Sequence, residues 1–262
     1  MNWTEKTRLF CEKYNIPLNF LAETLNEPKV IPMIRGKAFE FSVLEKLQSL
    51  LKNSSWGVEK HIVNAQLGIH DEDVTLINLK TKETFGAECK LAGKGRFKYL
   101  DNGGVQINIK CMRSRTLGQE MVNRLASQYK ISSELLGIHN DQYLPSDFKY
   151  VITSIGNTFY QTDDRGLMYW CPNDDEKEWL KFLCQTDDES KLQNKTFNKI
   201  YIIESKDLSI QPGGYQKCTR KKCNSKNNCG FIPNYPTIVF DKNTREPING
   251  WVEIENIKDF LN

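Results

Sequence analysis

The sequence lacks several patterns that identify membrane proteins and common enzyme classes. No run of about 18 uncharged apolar residues occurs, and the N-terminal MNWTEKTRLFCEKY lacks the basic-then-apolar layout of a secretory signal. None of the three histidines lies in an H-E-x-x-H pattern, and G-x-S-x-G and Walker loops are absent. We therefore expect a cytoplasmic protein with no membrane partner and no nucleotide cofactor. A zinc hydrolase, a serine hydrolase and an NTPase all lack support.

The charge balance and the cysteine spacing exclude two further classes. The 262 residues carry a net charge of only +3, so any signal for a nucleic-acid partner must be local. The eight cysteines are scattered through a chain long enough to bury an ample core, so they do not form a disulfide scaffold. No internal repeat or low-complexity linker divides the sequence, which predicts one domain over 1–262.

Hydrophobic periodicity predicts the order of the secondary structure. Helices are expected at 35–52 and 116–136, and a β-hairpin is expected within 73–90. Another helix should follow Asn173, which is an N-cap residue ahead of acidic residues. Further strands are predicted at 105–111, 149–155, 167–171, 199–204 and 237–240. This order indicates an α/β fold with a mixed β-sheet core flanked by helices. The C-terminal half would add strands and a long basic loop at 207–236.

The hairpin gathers acids and a lysine on one strand face. A turn centred on 81 and 82 would place Asp73 opposite Lys90, with Glu88 on the same face. Direct cross-strand neighbours lie about 5 Å apart and diagonal ones about 7 to 8 Å apart, so Asp73 and Glu88 can converge on one cation. Mg²⁺ prefers oxygen ligands of this kind, and Lys90 could orient or help deprotonate an attacking water. The pattern favours phosphodiester hydrolysis over its alternative, an exposed salt bridge worth about 0 to 1 kcal/mol.

Glu40 is a further candidate because it falls within the apolar stripe of the first predicted helix. A buried carboxylate is costly unless it meets a cation, a metal or a hydrogen-bond donor. The alternative is that Glu40 lies in the first helical turn and complements the helix dipole, for about 0.3 to 1 kcal/mol. Its position in the stripe favours a functional role. The stripe itself consists of Val43, Leu44, Leu47, Leu50 and Leu51.

The segments HDEDVTLIN and ECK resemble the PD-(D/E)XK nuclease superfamily, and the element order is similar to that of type II restriction endonucleases. The resemblance covers about 35–136, which would be the catalytic core, with 137–262 as an elaboration. It implies a Mg²⁺-dependent enzyme that cuts double-stranded DNA at specific sequences and leaves 5′-phosphate ends. Asp73 and Glu88 would bind the metal, Lys90 would position the water and Glu40 would support the site.

Several alternatives to this assignment stay open. The proline of the superfamily motif is missing, so Asp71 is an alternative metal ligand to Asp73. Asn108 and Lys110 in QINIK form a weaker N-x-K variant of the motif. A repair nuclease or junction resolvase of the same superfamily, or a non-catalytic DNA-binding protein, would also fit. A homodimer is expected only from the two-fold symmetry of palindromic sites.

Local basic clusters supply the DNA signal. Arginine and lysine suit phosphate contacts and guanine edges, and asparagine suits adenine, although each cluster alone could be a solvated face. Their proximity to the acids favours DNA. The candidates are Lys94, Arg96, Lys98, Arg113, Arg115, Arg220, Lys221, Lys222 and Asn224.

Three cysteines in the basic loop raise the question of zinc. Four residues separate Cys218 from Cys223 and five separate Cys223 from Cys229, unlike the C-x₂-C pairs of ordinary zinc sites. A fourth ligand would have to come from Cys171, Cys184 or a histidine elsewhere in the chain. The loop is a better candidate for DNA contacts than for a metal, and its zinc content stays open.

Overall fold

The computed structural model describes residues 1–60 and 72–262 and has an α/β fold. His61, His70 and Asp71, the alternative metal ligand to Asp73, lie outside the described residues. None of the described helices is long and apolar enough to cross a membrane.

The helices pack on a mixed sheet, and their bounds agree with the sequence patterns in part. The predicted helix at 35–52 is present but begins four residues earlier, with a proline in its first turn. The predicted helix at 116–136 is wrong as a single element. Lys130 adopts a left-handed conformation (φ 57°) and Ser132 caps a second helix, so the chain turns between them. The α-helices are α1 Trp3–Lys13, α2 Leu21–Leu25, α3 Ile31–Leu50, α4 Gln119–Tyr129, α5 Ser133–Ile138, α6 Asp174–Cys184, α7 Glu189–Phe197 and α8 Ile257–Phe260.

The predicted strands are present, and the structure adds short strands that lack a clear pattern. They are β1 Trp56–Glu59, β2 Val74–Asn78, β3 Thr84–Tyr99, β4 Val105–Ile109, β5 Tyr150–Ser154, β6 Tyr160–Thr162, β7 Met168–Trp170, β8 Ile200–Glu204, β9 Thr237–Phe240 and β10 Val252–Glu253. The main sheet has the order β1-β2-β3-β5-β8-β10, in which only β3 and β5 run parallel. Strands β6 and β7 form a separate hairpin.

Strand β3 is the central element of the sheet and is longer than its sequence predicts. Its first half pairs with β2 and β5, and its second half pairs with β4, which in turn pairs with β9. The segment LAGKGRFKY therefore continues the strand beyond residue 90, where the predicted hairpin ends. An irregularity between Ala92 and Phe97, where Gly95 has φ 61°, bends the strand without ending it.

Both faces of the central strands are covered by apolar side chains. On one face α3 packs Phe39, Val43 and Leu47 against residues of β2, β3, β5 and β8. On the other face α6 packs Trp179 and Leu180 against alternate residues of β5 and β8. A polar side chain that lies between these layers must therefore find a partner inside the protein.

Candidate active site

The hairpin register brings Asp73 to Glu88. Val74 pairs with Ala87 and Thr75 with Gly86, which is two residues away from the predicted register. Continued by one pair, the register puts Asp73 opposite Glu88, so the predicted pairing of Asp73 with Lys90 is wrong. The side-chain faces are unchanged because a shift by two preserves the alternation. Asp73 Oδ2 accepts a hydrogen bond of 2.9 Å from the backbone N–H of Cys89, which holds the carboxylate against β3.

Glu40 is directed inward from the middle of α3 and meets two lysines. Only 6% of Glu40 is exposed, so its first-turn dipole role is wrong and its position on the buried stripe is confirmed. Its Oε2 lies 2.6 Å from Lys60 Nζ and 2.9 Å from Lys37 Nζ. Lys60 also donates to the backbone carbonyl of Asp73 at 2.8 Å. The Lys60 side chain therefore links α3 to the start of β2.

Glu88 is the most enclosed acid of the group and is held by two side chains. Its Oε1 lies 2.5 Å from Lys90 Nζ and accepts a 3.0 Å hydrogen bond from the Tyr143 hydroxyl. Only 5% of Glu88 is exposed. This arrangement differs from an exposed cross-strand salt bridge in two ways. The acid is buried, and the lysine that pairs with it lies on the same strand.

The electrostatics of the cluster favour an additional positive charge. Burial, followed by the charge of Glu88, raises the pKa of Asp73 to about 8. Burial alone would lower the pKa of Lys90, but the charges of Glu88, Tyr143 and Asp73 outweigh it and hold that pKa well above its ordinary value. Without a cation, the protein therefore keeps Lys90 charged and disfavours ionisation of Asp73. A divalent ion would reverse the penalty on Asp73.

These side chains open into a cleft of about 1150 Å³. Glu40, Asp73, Glu88 and Lys90 all line it, so the structure brings the four predicted catalytic residues together. Its walls also carry side chains that can donate to phosphate oxygens. These are Arg35, Lys37, Lys94, Lys110, Arg113 and Arg115.

The predicted DNA-contacting residues fall into two groups. Lys94, Arg113 and Arg115 line the cleft, although Arg113 is also paired with Asp147 at 2.6 Å. Arg115 is exposed beside the acids. The remaining candidates do not contribute to the described lining of the cleft: Arg96, Lys98, Arg220, Lys221, Lys222 and Asn224.

Two of the outlying arginines are held by neighbouring side chains. The Arg96 guanidinium lies over the Tyr235 ring, 5.2 Å from its centroid. Arg220 is ion-paired with Asp141. Lys98, Lys221, Lys222 and Asn224 are exposed. None of these six candidates is therefore part of the described cleft lining that holds the acids.

Lys60 and Tyr143, like Lys37, contact the acids and were not revealed by the sequence patterns. Lys60 follows the short strand β1, which has no strong periodic signal, and Tyr143 lies in an irregular segment after α5. A lone lysine and a lone tyrosine carry no chemical pattern on their own. The structure divides the two residues of the weaker N-x-K alternative. Lys110 lines the cleft, whereas Asn108 donates to the Tyr235 carbonyl at 3.3 Å.

No family model, curated protein or solved structure matches this chain.

Proposed function

We propose that the protein is a Mg²⁺-dependent endonuclease that cuts double-stranded DNA at specific sequences and leaves 5′-phosphate ends, in the manner of a type II restriction enzyme with a PD-(D/E)XK core. The observation that carries the proposal is the meeting of Asp73, Glu88 and Lys90 at the base of a cleft with cationic walls. A buried acid pair can hold a divalent ion, and a lysine 2.5 Å from one of the acids can orient a water, which suits metal-assisted phosphodiester hydrolysis.

The residues present fit a magnesium ion. Asp73 and Glu88 offer hard oxygen ligands, and the raised pKa of Asp73, about 8, is the signature of a site that favours added positive charge. Magnesium, when bound, would supply charge stabilisation at the scissile phosphate. Glu40 would act indirectly, because its carboxylate holds Lys60 against the backbone of Asp73.

The protein's own groups then have distinct roles. Lys90 is a charged donor in the ion-free protein, so its first role is to hold and orient the attacking water. Tyr143 restrains the Glu88 carboxylate through its hydroxyl. Arg115 and Lys94, at the cleft wall, would neutralise backbone phosphates and supply the affinity that is independent of sequence.

The deciding experiment is digestion of a plasmid of known sequence with Mg²⁺ and with EDTA. We expect discrete bands with Mg²⁺ only, and fragments that religate without prior phosphorylation. Glu88→Ala and Lys90→Ala should keep DNA binding, measured by gel shift, and lose cleavage. Full cleavage by either variant would contradict the assignment.

The same assay separates the alternatives. A repair nuclease or junction resolvase would leave the intact duplex uncut and would cleave damaged or branched DNA. A non-catalytic DNA-binding protein would shift DNA but cut nothing in any metal. Sedimentation of the protein with and without a cleavable site would test the proposed homodimer, which two-fold symmetric recognition calls for.

A further inference from the structure

A second group of chemically reactive side chains lies away from the cleft, where α5 meets the basic loop. His139 follows α5, and the loop contributes Cys218, Cys223 and Cys229. All four residues are buried, and their ligand atoms lie within 4.8 Å of one another. Their sequence separation is large, because about eighty residues lie between the histidine and the first cysteine.

The distances are close to those of a tetrahedral zinc centre. A Zn–S bond of about 2.3 Å and a tetrahedral angle place two sulfurs about 3.8 Å apart. The observed limit of 4.8 Å is larger than this by about one ångström. Side-chain rotations of the three cysteines could close that gap without a change of fold, because the loop that carries them contains no helix or strand between 209 and 236.

The histidine has the orientation that a metal ligand needs. Gln142 donates its amide Nε2 to the Ile232 carbonyl at 3.0 Å, which turns its Oε1 toward His139 Nδ1. Nδ1 must therefore be the protonated nitrogen, and Nε2 carries the lone pair. In the described part of the chain, Nε2 is buried and has no hydrogen-bond partner. Metal-bound histidines are held in this way, through a hydrogen bond from the other ring nitrogen to an oxygen.

The two simpler explanations leave this nitrogen unexplained. Buried free cysteines can serve as small apolar residues, and these three do pack with Val122, Leu136 and Phe231. An apolar cluster, however, would leave the buried histidine nitrogen without a hydrogen bond, which is unfavourable. A single disulfide would also leave one cysteine and the same nitrogen without partners.

The loop that carries the three cysteines is long and has no helix or strand of its own. Connections longer than about 12 to 15 residues without secondary structure are uncommon unless they are functional or disordered. This loop is ordered by close turns, since Cys218 N–H donates to the Lys226 carbonyl at 3.1 Å and Cys223 N–H to the Arg220 carbonyl at 3.2 Å. The lysine-rich turns also suit the charge, because three thiolates and a neutral imidazole around Zn²⁺ carry one net negative charge.

We propose that His139, Cys218, Cys223 and Cys229 bind one structural Zn²⁺ ion. Three sulfurs and one nitrogen close a tetrahedral shell, which is the arrangement of structural zinc and leaves no position for a substrate. The ion fastens the basic loop to the segment after α5. That segment carries Tyr143, which contacts Glu88, so the zinc centre would position one wall of the cleft from a distance.

The test is the zinc content of the purified full-length protein, measured by inductively coupled plasma mass spectrometry. This measurement does not depend on a cleavage assay. We expect one zinc per chain in the wild type and in two matched controls, the exposed Cys171→Ser and the buried Cys184→Ala. Cys223→Ser should lose it. A wild type purified without zinc that also fails to take up Co²⁺ would overturn the proposal, as would full zinc content in Cys223→Ser.

Cobalt substitution keeps the proposal testable if the cysteine variant does not fold. The Co²⁺-loaded wild type should show intense thiolate-to-cobalt absorption and the visible bands of a tetrahedral ion. X-ray absorption should count three sulfurs and one nitrogen. An oxygen-rich shell, or a disulfide among the three cysteines in the zinc-treated protein, would refute the site. Loss of DNA cleavage with intact zinc would bear only on the cleft, so the two proposals fail separately.

Discussion

Replacement of Asp73 by asparagine tests the electrostatic argument in the metal-free protein. Asparagine has nearly the same shape and keeps an oxygen for the 2.9 Å hydrogen bond from Cys89 N–H, so the main change is the lost charge. In the wild type, burial and the charge of Glu88 raise the pKa of Asp73 from 3.8 to about 8. Only 7% of Asp73 is exposed, so solvent screens this effect weakly.

The sign of the pH dependence follows from the raised pKa. The folded chain holds the proton on Asp73 more tightly than the unfolded chain does, so folding takes up a proton between the two pKa values, 3.8 and about 8. The free energy of unfolding must therefore fall as the pH rises through that window, by up to about 1.4 kcal/mol per pH unit. Between two conditions two pH units apart the loss is about 3 kcal/mol, or about 6 °C in Tm.

The assay is thermal unfolding followed by circular dichroism in EDTA, at pH 5.5 and at pH 7.5. Over this interval the free energy of unfolding should fall by about 3 kcal/mol more in the wild type than in Asp73→Asn. Asp101→Asn, an exposed carboxylate in the turn between β3 and β4, should behave as the wild type. Addition of Mg²⁺ at the higher pH should raise the Tm of the wild type and leave that of Asp73→Asn unchanged. An equal change in the free energy of unfolding between the two pH values for the wild type and Asp73→Asn would refute the reasoning.

Three further substitutions probe the groups around the acids. Lys60→Met leaves Glu40 buried with one lysine, so the free energy of unfolding in urea should fall by about 3 kcal/mol. The control Lys46→Met, in a half-exposed pair with Glu255, should lower it by less than about 1 kcal/mol. Tyr143→Phe removes a hydrogen bond to a carboxylate and should slow single-turnover cleavage with unchanged DNA affinity; an unchanged rate would exclude a positioning role. Arg115→Ala should weaken DNA binding equally for all sequences and lower the salt slope by about one; a sequence-dependent loss would assign Arg115 to base contact.

The local patterns were sufficient for the elements that have a strong period. The stripe of α3 predicted that Glu40 is buried, because the 3.6-residue repeat places it among Val43 and Leu47. Alternation in β2 and β3 predicted which side chains share a face. The helix was predicted too long because Leu117, Met121 and Leu125 keep a four-residue spacing. The helix ends because Lys130 adopts a left-handed backbone conformation, which this spacing does not reveal.

The register of the hairpin could not be read from the same alternation. A slip by two residues leaves every side chain on its original face, so the apolar pattern fits both registers equally well. The observed turn is centred on 80 and 81 instead of 81 and 82, and it is the turn that sets the pairing. Asp73 therefore faces Glu88, and this pairing creates the charge repulsion on which the proposed metal site depends.

The sequence by itself determined the fold class, the acid pair with its lysine and the inward position of Glu40, since each follows from a local repeat. Only the tertiary structure decided which distant residues complete the two proposed sites. Lys60 reaches the acids from the position after β1, Tyr143 from the segment after α5, and His139 meets the three loop cysteines. Such contacts join residues far apart in the chain, and no local period encodes them, because they depend on how the packed layers bring separate segments together.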